Sequence, residues 1–232
     1  MSFFFCPVEL EVGTPVVLDG DTAHHIGTVR RMKPGEELEL QDPRGARFSA
    51  RVEAVVKRSL TILPLAAAPI PAPARASITL LQALISEQNL DLILQKATEL
   101  GAVKVVLFPA EHSPHRLVDD RLAHKTDRWN QIIRNACEQS GRPVPTELIV
   151  TDSLEDALAH RGGTVILLDE HGSSTHTSED STLIVGPEGG LTDSEKALAH
   201  DVGATTMAVG PYTLRSETAA IAGMTICIAS RA

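Results

Sequence analysis

TLIVGPEGGLTDSEKALAH, residues 182–200, is the stretch whose reading decides the fold. Its first part is a short apolar run ending at a glycine, the pattern of a strand buried on both faces. Thr192 and Glu195 then stand three apart, the T-x-x-E of a capping box, and predict a helix starting near Asp193. The glycine loop 186–190 therefore sits at a strand's carboxyl end and leads into a helix. In open α/β sheets such loops are where ligands bind. Gly186, Gly189 and Gly190 permit positive φ and close backbone approach, and the following helix directs N–H groups toward the loop.

The same junction recurs downstream. TTMAVG, residues 205–210, reads as a strand, and the alanine-rich stretch after Leu214 as a helix, so PYTLRSE bridges strand to helix. Upstream, ITLLQALI (78–85) and VKVVLF (103–108) are apolar runs of strand length, as are TVILLD and TLIVG. Leu90, Ile93, Leu94 and Ala97 share one helical face before a stop at Gly101, and Trp129, Ile132, Ile133, Ala136 and Cys137 share another within a helix around 121–140. Strands alternating with helices predict an α/β domain over residues 78–232 with a largely parallel sheet.

Before residue 70 the pattern is different. VVLDG, ELELQDPRG, RFSARVEAVV and LTILPL alternate apolar and polar residues between turn signals, which predicts a small β-rich, barrel-like domain over residues 1–70. Pro69, Pro71 and Pro73 preclude regular helix and favour an extended spacer, so residues 71–77 are assigned as the linker.

Composition limits the function classes. A chain of 232 residues with 43% hydrophobic residues can bury a sizeable core. No apolar run approaches the roughly 20 residues that cross a bilayer, and MSFFFCP lacks a signal peptide's basic start, so the expected address is the cytoplasm, without a membrane. Cys6, Cys137 and Cys227 are far apart and form no CxxC pair, which suggests neither a disulfide framework nor a thiolate zinc site. A net charge of −9 excludes a protein that coats nucleic acid over its whole surface. The charge is uneven: residues 1–70 hold 8 Lys+Arg against 9 Asp+Glu, and the remainder 13 against 21. Any bound RNA must meet a local basic surface.

GPEGG lacks both the G-x-G-x-x-G of a dinucleotide site and the GK[ST] of a P-loop. Glu188 repels phosphate and suits a ligand bearing a cation. Taken alone the loop fits an ordinary tight turn with a helix cap better than a ligand site. Arg215 and Glu217 beside it read either as an ion pair at a helix start or as a fork that orients a polar substrate and a group that handles a proton or a ribose hydroxyl.

GPEGGLTxxE followed by VGPYTLRSETAAIAG resembles the small-subunit (16S) rRNA uridine N3-methyltransferases, a branch of the knotted SPOUT methyltransferases. HHIGTVRRMKPGEELEL (24–40), QKATELGAVKVV (95–106), EHS (111–113) and RWNQIIRNACEQSGRPVP (128–145) are similar to further segments of that family. Together they cover nearly the whole chain, in order. The resemblance implies a PUA-like β-barrel that helps hold RNA, then an α/β domain ending in a trefoil knot, usually as a homodimer and without a metal. It implies S-adenosylmethionine held by three loops: Leu168 and Asp169; Gly186, Pro187, Glu188, Gly189 and Gly190; and Val209, Gly210, Leu214 and Thr218. Three positions depart from the family's pattern, each with less positive charge: Ser86, His112 and Tyr212.

The expected reaction is methyl transfer to uridine N3 of 16S rRNA on the small ribosomal subunit. Glu217 is then the candidate base for the N3 proton and Arg215 the candidate stabiliser of the uracil anion. His24, His25, Arg30, Arg31, Lys33, Arg116 and Arg142 are the candidate RNA contacts, although Arg30, Arg31 and Lys33 read equally well as a solvated turn between strands. Two rivals remain at this stage: a non-catalytic RNA-binding or ribosome-assembly protein of the same fold, and an α/β enzyme acting on a small phosphorylated molecule.

Overall fold

The computed structural model describes residues 3–56, 59–68, 77–114, 122–173 and 180–229. The chain divides into two compact units, the first comprising Met1–Pro73 together with Cys137–Val144, the second Ala74–Ala136 and Pro145–Ala232. The reading of one boundary at the proline linker does not contain that return of residues 137–144, nor the resulting place of Arg142 in the first unit.

The first unit is built on β1 (Phe3–Phe5), β2 (Val16–Asp19), β3 (Glu37–Gln41), β4 (Arg47–Val56) and β5 (Ser59–Ala68), in the sheet order β1-β3-β4-β5-β2. β1 pairs with β3 in parallel; the other pairs are antiparallel. Alternation puts Leu38 and Leu40, Phe48, Ala50 and Val52, and Leu60 and Ile62 on the inner face, where they form one core with Phe4, Leu10, Leu18 and Ile26. Helix α1 (Gly20–His24) runs into a π-helical turn, His25–Val29. That turn places Arg30 and Arg31 directly after a helical segment.

The second unit holds a wholly parallel sheet of β6 (Ile78–Ala83), β7 (Lys104–Phe108), β8 (Glu147–Val150), β9 (Thr164–Ser173), β10 (Ser181–Val185) and β11 (Thr205–Met207), in the order β11-β9-β10-β6-β7-β8. Its helices are α2 (Glu87–Glu99), α3 (Leu122–Ser140, whose last residues belong to the first unit), α4 (Leu154–Leu158), α5 (Asp193–Asp201) and α6 (Ser216–Ala229). Every residue of β6 and β10 is buried, as expected for central parallel strands covered on both faces. Leu81, Ala83, Val106, Ile184 and Leu167 meet Leu154, Ala157, Leu158 and Ala199 of α4 and α5 on one face. Gln82, on the opposite face of β6, meets Ser216 at the start of α6.

The ladder between β9 and β11 is interrupted. Thr206 pairs with Leu167 but Met207 with Ser173, so residues 168–172 leave the β11 ladder. The stretch read as a loop after Asp169 is thus extended backbone belonging to β9. Gly172 brings it back against β11 so closely that a Cβ would lie 2.5 Å from the Met207 carbonyl carbon.

Candidate active site

Three segments of the second unit, one within β9 and two after β10 and β11, line a cavity of about 340 Å³. Leu168 and Asp169 come from the excursion of β9; Gly186, Pro187, Glu188, Gly189 and Gly190 follow β10; Val209, Gly210 and Leu214 follow β11. Thr218, Arg215 and Glu217 are not among the lining residues. Arg215 directly precedes α6 and is exposed, Thr218 is exposed on its first turn, and Ser216, which lies between Arg215 and Glu217, does line the cavity. Glu217 is half-buried, and its Oε2 is buried with no hydrogen-bond partner among the described residues.

The glycine loop is shaped from several sides. Gly190 N–H closes a turn onto the Pro187 carbonyl at 2.9 Å, and Gly190 takes φ +73°, the left-handed region that favours glycine. Gly189 has a different reason: its missing Cβ would sit 2.9 Å from the Cβ of His112. The His112 ring Nδ1 lies 3.1 Å from the carbonyl oxygens of both Gly189 and Gly190, where a protonated nitrogen donates to them. Thr192 caps α5, accepting the Glu195 N–H through Oγ1 while its own N–H donates to Glu195 Oε2 at 2.8 Å. Glu195 Oε1 also accepts the Glu111 N–H at 2.9 Å, which ties the EHS segment to the same helix start.

The capping box and the acidic Asp193 and Glu195 occupy the α5 N-terminus, leaving it poorly suited to a phosphate. Among the charged lining residues carboxylates prevail: Asp169, Glu170 and Glu188 against Lys196 and the imidazole of His171. Lys196 is itself engaged, its Nζ lying 2.6 Å from Asp169 Oδ2. Burial works to raise the Asp169 carboxyl. The Lys196 hydrogen bond, the His171 backbone N–H and the nearby positive charge outweigh it and hold the group below its usual range. Such a lining accepts a ligand with a positive centre more readily than a phosphoester.

Lys196, Glu170, Thr213 and Ser216 are lining residues that the sequence reading did not single out, and Tyr212, noted there only for its missing positive charge, lines the cavity as well. Lys196 had a readable signal: it stands four residues after the cap Thr192, on the same helical face. The hydroxyl of Thr213 donates to the Glu170 carboxylate, linking the segments after β11 and within β9.

In the first unit, His24 is exposed and His25 packs edge-on to Phe4 at a centroid distance of 5.7 Å. The Arg30 guanidinium lies 5.8 Å from the same ring, Arg31 is a non-glycine residue at φ 55°, and Lys33 is exposed. Arg142 is half-buried and donates to the Val144 carbonyl at 2.7 Å. Arg116 lies outside the described residues.

Comparison with known proteins agrees with this layout. Residues 72–228 match the RNA methyltransferase domain family, and residues 18–65 match the RNA methyltransferase PUA domain family. The chain is similar to ribosomal RNA small subunit methyltransferase E of Mycobacterium tuberculosis, 32% identical over 231 residues that span 94% of this chain and 87% of that protein. The Bacillus subtilis protein of the same name is 26% identical, covering 91% of this chain and 88% of its own length. Among solved structures, a methyltransferase from Legionella pneumophila in complex with its bound cofactor S-adenosylmethionine aligns with a TM-score of 0.90 at 28% identity, covering 98% of this chain and 96% of that one. The ribosomal RNA small subunit methyltransferase E of Neisseria gonorrhoeae, bound to S-adenosylmethionine, aligns with a TM-score of 0.85 at 29% identity, covering 97% and 95%.

Proposed function

Because the chain belongs to the RNA methyltransferase family, we propose that its cavity takes S-adenosylmethionine and that the protein methylates N3 of a specific uridine in 16S rRNA on the assembled small ribosomal subunit. The observation that carries this reading is the cavity itself, lined by one segment within β9 and the segments after β10 and β11, where the carboxylates of Asp169, Glu170 and Glu188 outnumber the single cation Lys196. The donor, when bound, supplies an electrophilic methyl group on a sulfonium, and an acidic lining suits that positive centre. A phosphoester ligand would meet Glu188 and a helix start already capped by Thr192 and Glu195.

The residues nearest to chemistry are those around Ser216. Glu217 takes the N3 proton, and Arg215 stabilises the negative charge that spreads over the uracil as it leaves. Positioning of the nucleophile in line with the methyl group supplies much of the remaining acceleration. The cofactor contacts are assigned to Leu168 and Asp169, the GPEGG loop, and Val209, Gly210, Leu214 and Thr218.

His24, His25, Arg30, Arg31 and Lys33 are assigned to rRNA binding, with Arg116 and Arg142 as further contacts. Supporting this, Arg30, Arg31 and Lys33 are all exposed on one short segment after the π-helical turn. The protein acts as a homodimer in the cytoplasm. In favour of a dimer, α6 is apolar on nearly all sides, with Ile221, Ile226 and Ile228 half-buried. No helix among the described residues is long and apolar enough to cross a membrane.

The position is tested by incubating the protein with S-adenosylmethionine and unmodified small subunits, then digesting the rRNA to nucleosides for mass spectrometry. The expected product is 3-methyluridine. A methyl group on another nucleoside overturns the N3 assignment, and cofactor binding without methyl transfer supports the non-catalytic rival.

A further inference from the structure

Gln82 is a polar residue with no solvent exposure in a strand whose other residues are aliphatic or Thr79. Its Nε2 donates to the Ala83 carbonyl at 2.9 Å and to Ser216 Oγ at 3.0 Å. Ser216 Oγ in turn donates to the Gly186 carbonyl at 2.7 Å. Because the hydroxyl accepts from Gln82, its one hydrogen is directed toward Gly186, and each bond polarises the next. The peptide that follows, Gly186–Pro187, has no N–H, so the Gly186 carbonyl is the polar handle of that peptide group. The other end of the chain is incomplete, since Gln82 Oε1 is buried without a partner among the described residues.

An apolar side chain of similar length would fill the Gln82 position without stranding that acceptor. What glutamine supplies instead is orientation. Both Ser216 and Gly186 line the cavity, one at the start of α6 and one at the end of β10. We infer that Gln82 and Ser216 are positioning residues for the methyl donor: the buried chain Gln82–Ser216–Gly186 locks the glycine loop to the first turn of α6, so two cofactor segments are set before the ligand enters. The inference rests on the S-adenosylmethionine reading of the cavity. The cost of ordering those loops is then met on folding, and the bound affinity rises accordingly.

The test is calorimetric titration of S-adenosylmethionine into the full-length protein and three variants, with thermal melting of each. Gln82→Met removes the donor and the stranded acceptor together at nearly constant volume. It is expected to melt at or above the wild-type temperature yet bind about tenfold more weakly. Ser216→Ala is expected to lose a similar factor, and Ser216→Thr, which keeps the hydroxyl, to recover most of it. A purely structural role predicts the opposite coupling, with affinity falling only where melting falls. Wild-type affinity in Gln82→Met, or a Ser216→Thr variant as weak as Ser216→Ala, overturns the inference. If the wild type itself binds no S-adenosylmethionine, the reading of the cavity fails and the inference fails with it.

Discussion

Lys196 Nζ lies 2.6 Å from Asp169 Oδ2, joining α5 to the excursion of β9 at the wall of the cavity. Asp169 has a side-chain exposure of 14% and Lys196 of 33%, so the pair is partly screened and contributes no more than about 1 kcal/mol. The folded-state value of Asp169 is lowered, so its stabilisation is present above the unfolded value near 3.8 and is lost as pH falls through the lowered value. Asp169→Asn is therefore expected to melt below wild type at pH 7, by no more than about 4 °C. The gap should close as the pH drops below 3.8. A gap of the same size at both ends of that range contradicts the assignment.

Gly172 has no room for a side chain, because a Cβ would meet the backbone of Met207 and Ala208 at 2.5–2.7 Å. Backbone gives way less easily than the end of a flexible side chain. Gly172→Ala should cost at least about 1–3 kcal/mol in chemical denaturation. Gly162→Ala, where nothing lies within 4 Å of the added Cβ, should stay within about 0.5 kcal/mol of wild type.

His112 and Gly189 are coupled by space as well as by hydrogen bonding. Gly189→Ala places a methyl 2.9 Å from the His112 Cβ and should weaken S-adenosylmethionine binding. His112→Ala removes the ring that holds the Gly189 and Gly190 carbonyls and should weaken it several-fold on its own. Combined with Gly189→Ala, a His112→Gly change, which removes the Cβ as well as the ring, regains the space, so the double loss should be smaller than the sum of those two single losses. Strict additivity, read by calorimetry, means that the two residues act independently.

Arg215 and Glu217, proposed for the chemistry, are absent from the lining of the cavity proposed for the cofactor. Alanine at either position should lower turnover about 10²-fold or more while leaving the S-adenosylmethionine dissociation constant within about threefold of wild type. Single-turnover kinetics beside calorimetry makes the distinction. Turnover near wild type removes both residues from the mechanism.

Much of this fold is legible in short-range pattern. The capping box of Thr192 and Glu195, the apolar face of α2 and the runs of β6 and β10 appear where periodicity and capping put them, because local preference and burial agree there. β1, β8 and α4 escape the same reading: they have 3 to 5 residues each, too few for a period to stand out. The excursion of residues 168–172 escapes for a different reason, since the β11 backbone that presses on Gly172 comes from 35 positions later in the chain. A knot is likewise a global property, and it entered through family resemblance. At the site, strand-to-helix junctions marked two of the three segments proposed for the cofactor, GPEGG and PYTLRSE, while Leu168 and Asp169 entered through family resemblance; neither the Lys196–Asp169 pair nor the Gln82–Ser216 chain has a local signature. Gln82 in particular sits in a strand that reads as wholly apolar apart from Thr79 and itself.

The central claim is transfer of a methyl group from S-adenosylmethionine to small-subunit rRNA, and one measurement meets it directly. Purified protein is mixed with S-adenosylmethionine carrying a labelled methyl group and with small ribosomal subunits from cells lacking this modification. Stoichiometric label in 16S rRNA, absent when the subunits are already modified, is the predicted result. No label in the rRNA, with the cofactor demonstrably bound, contradicts the claim.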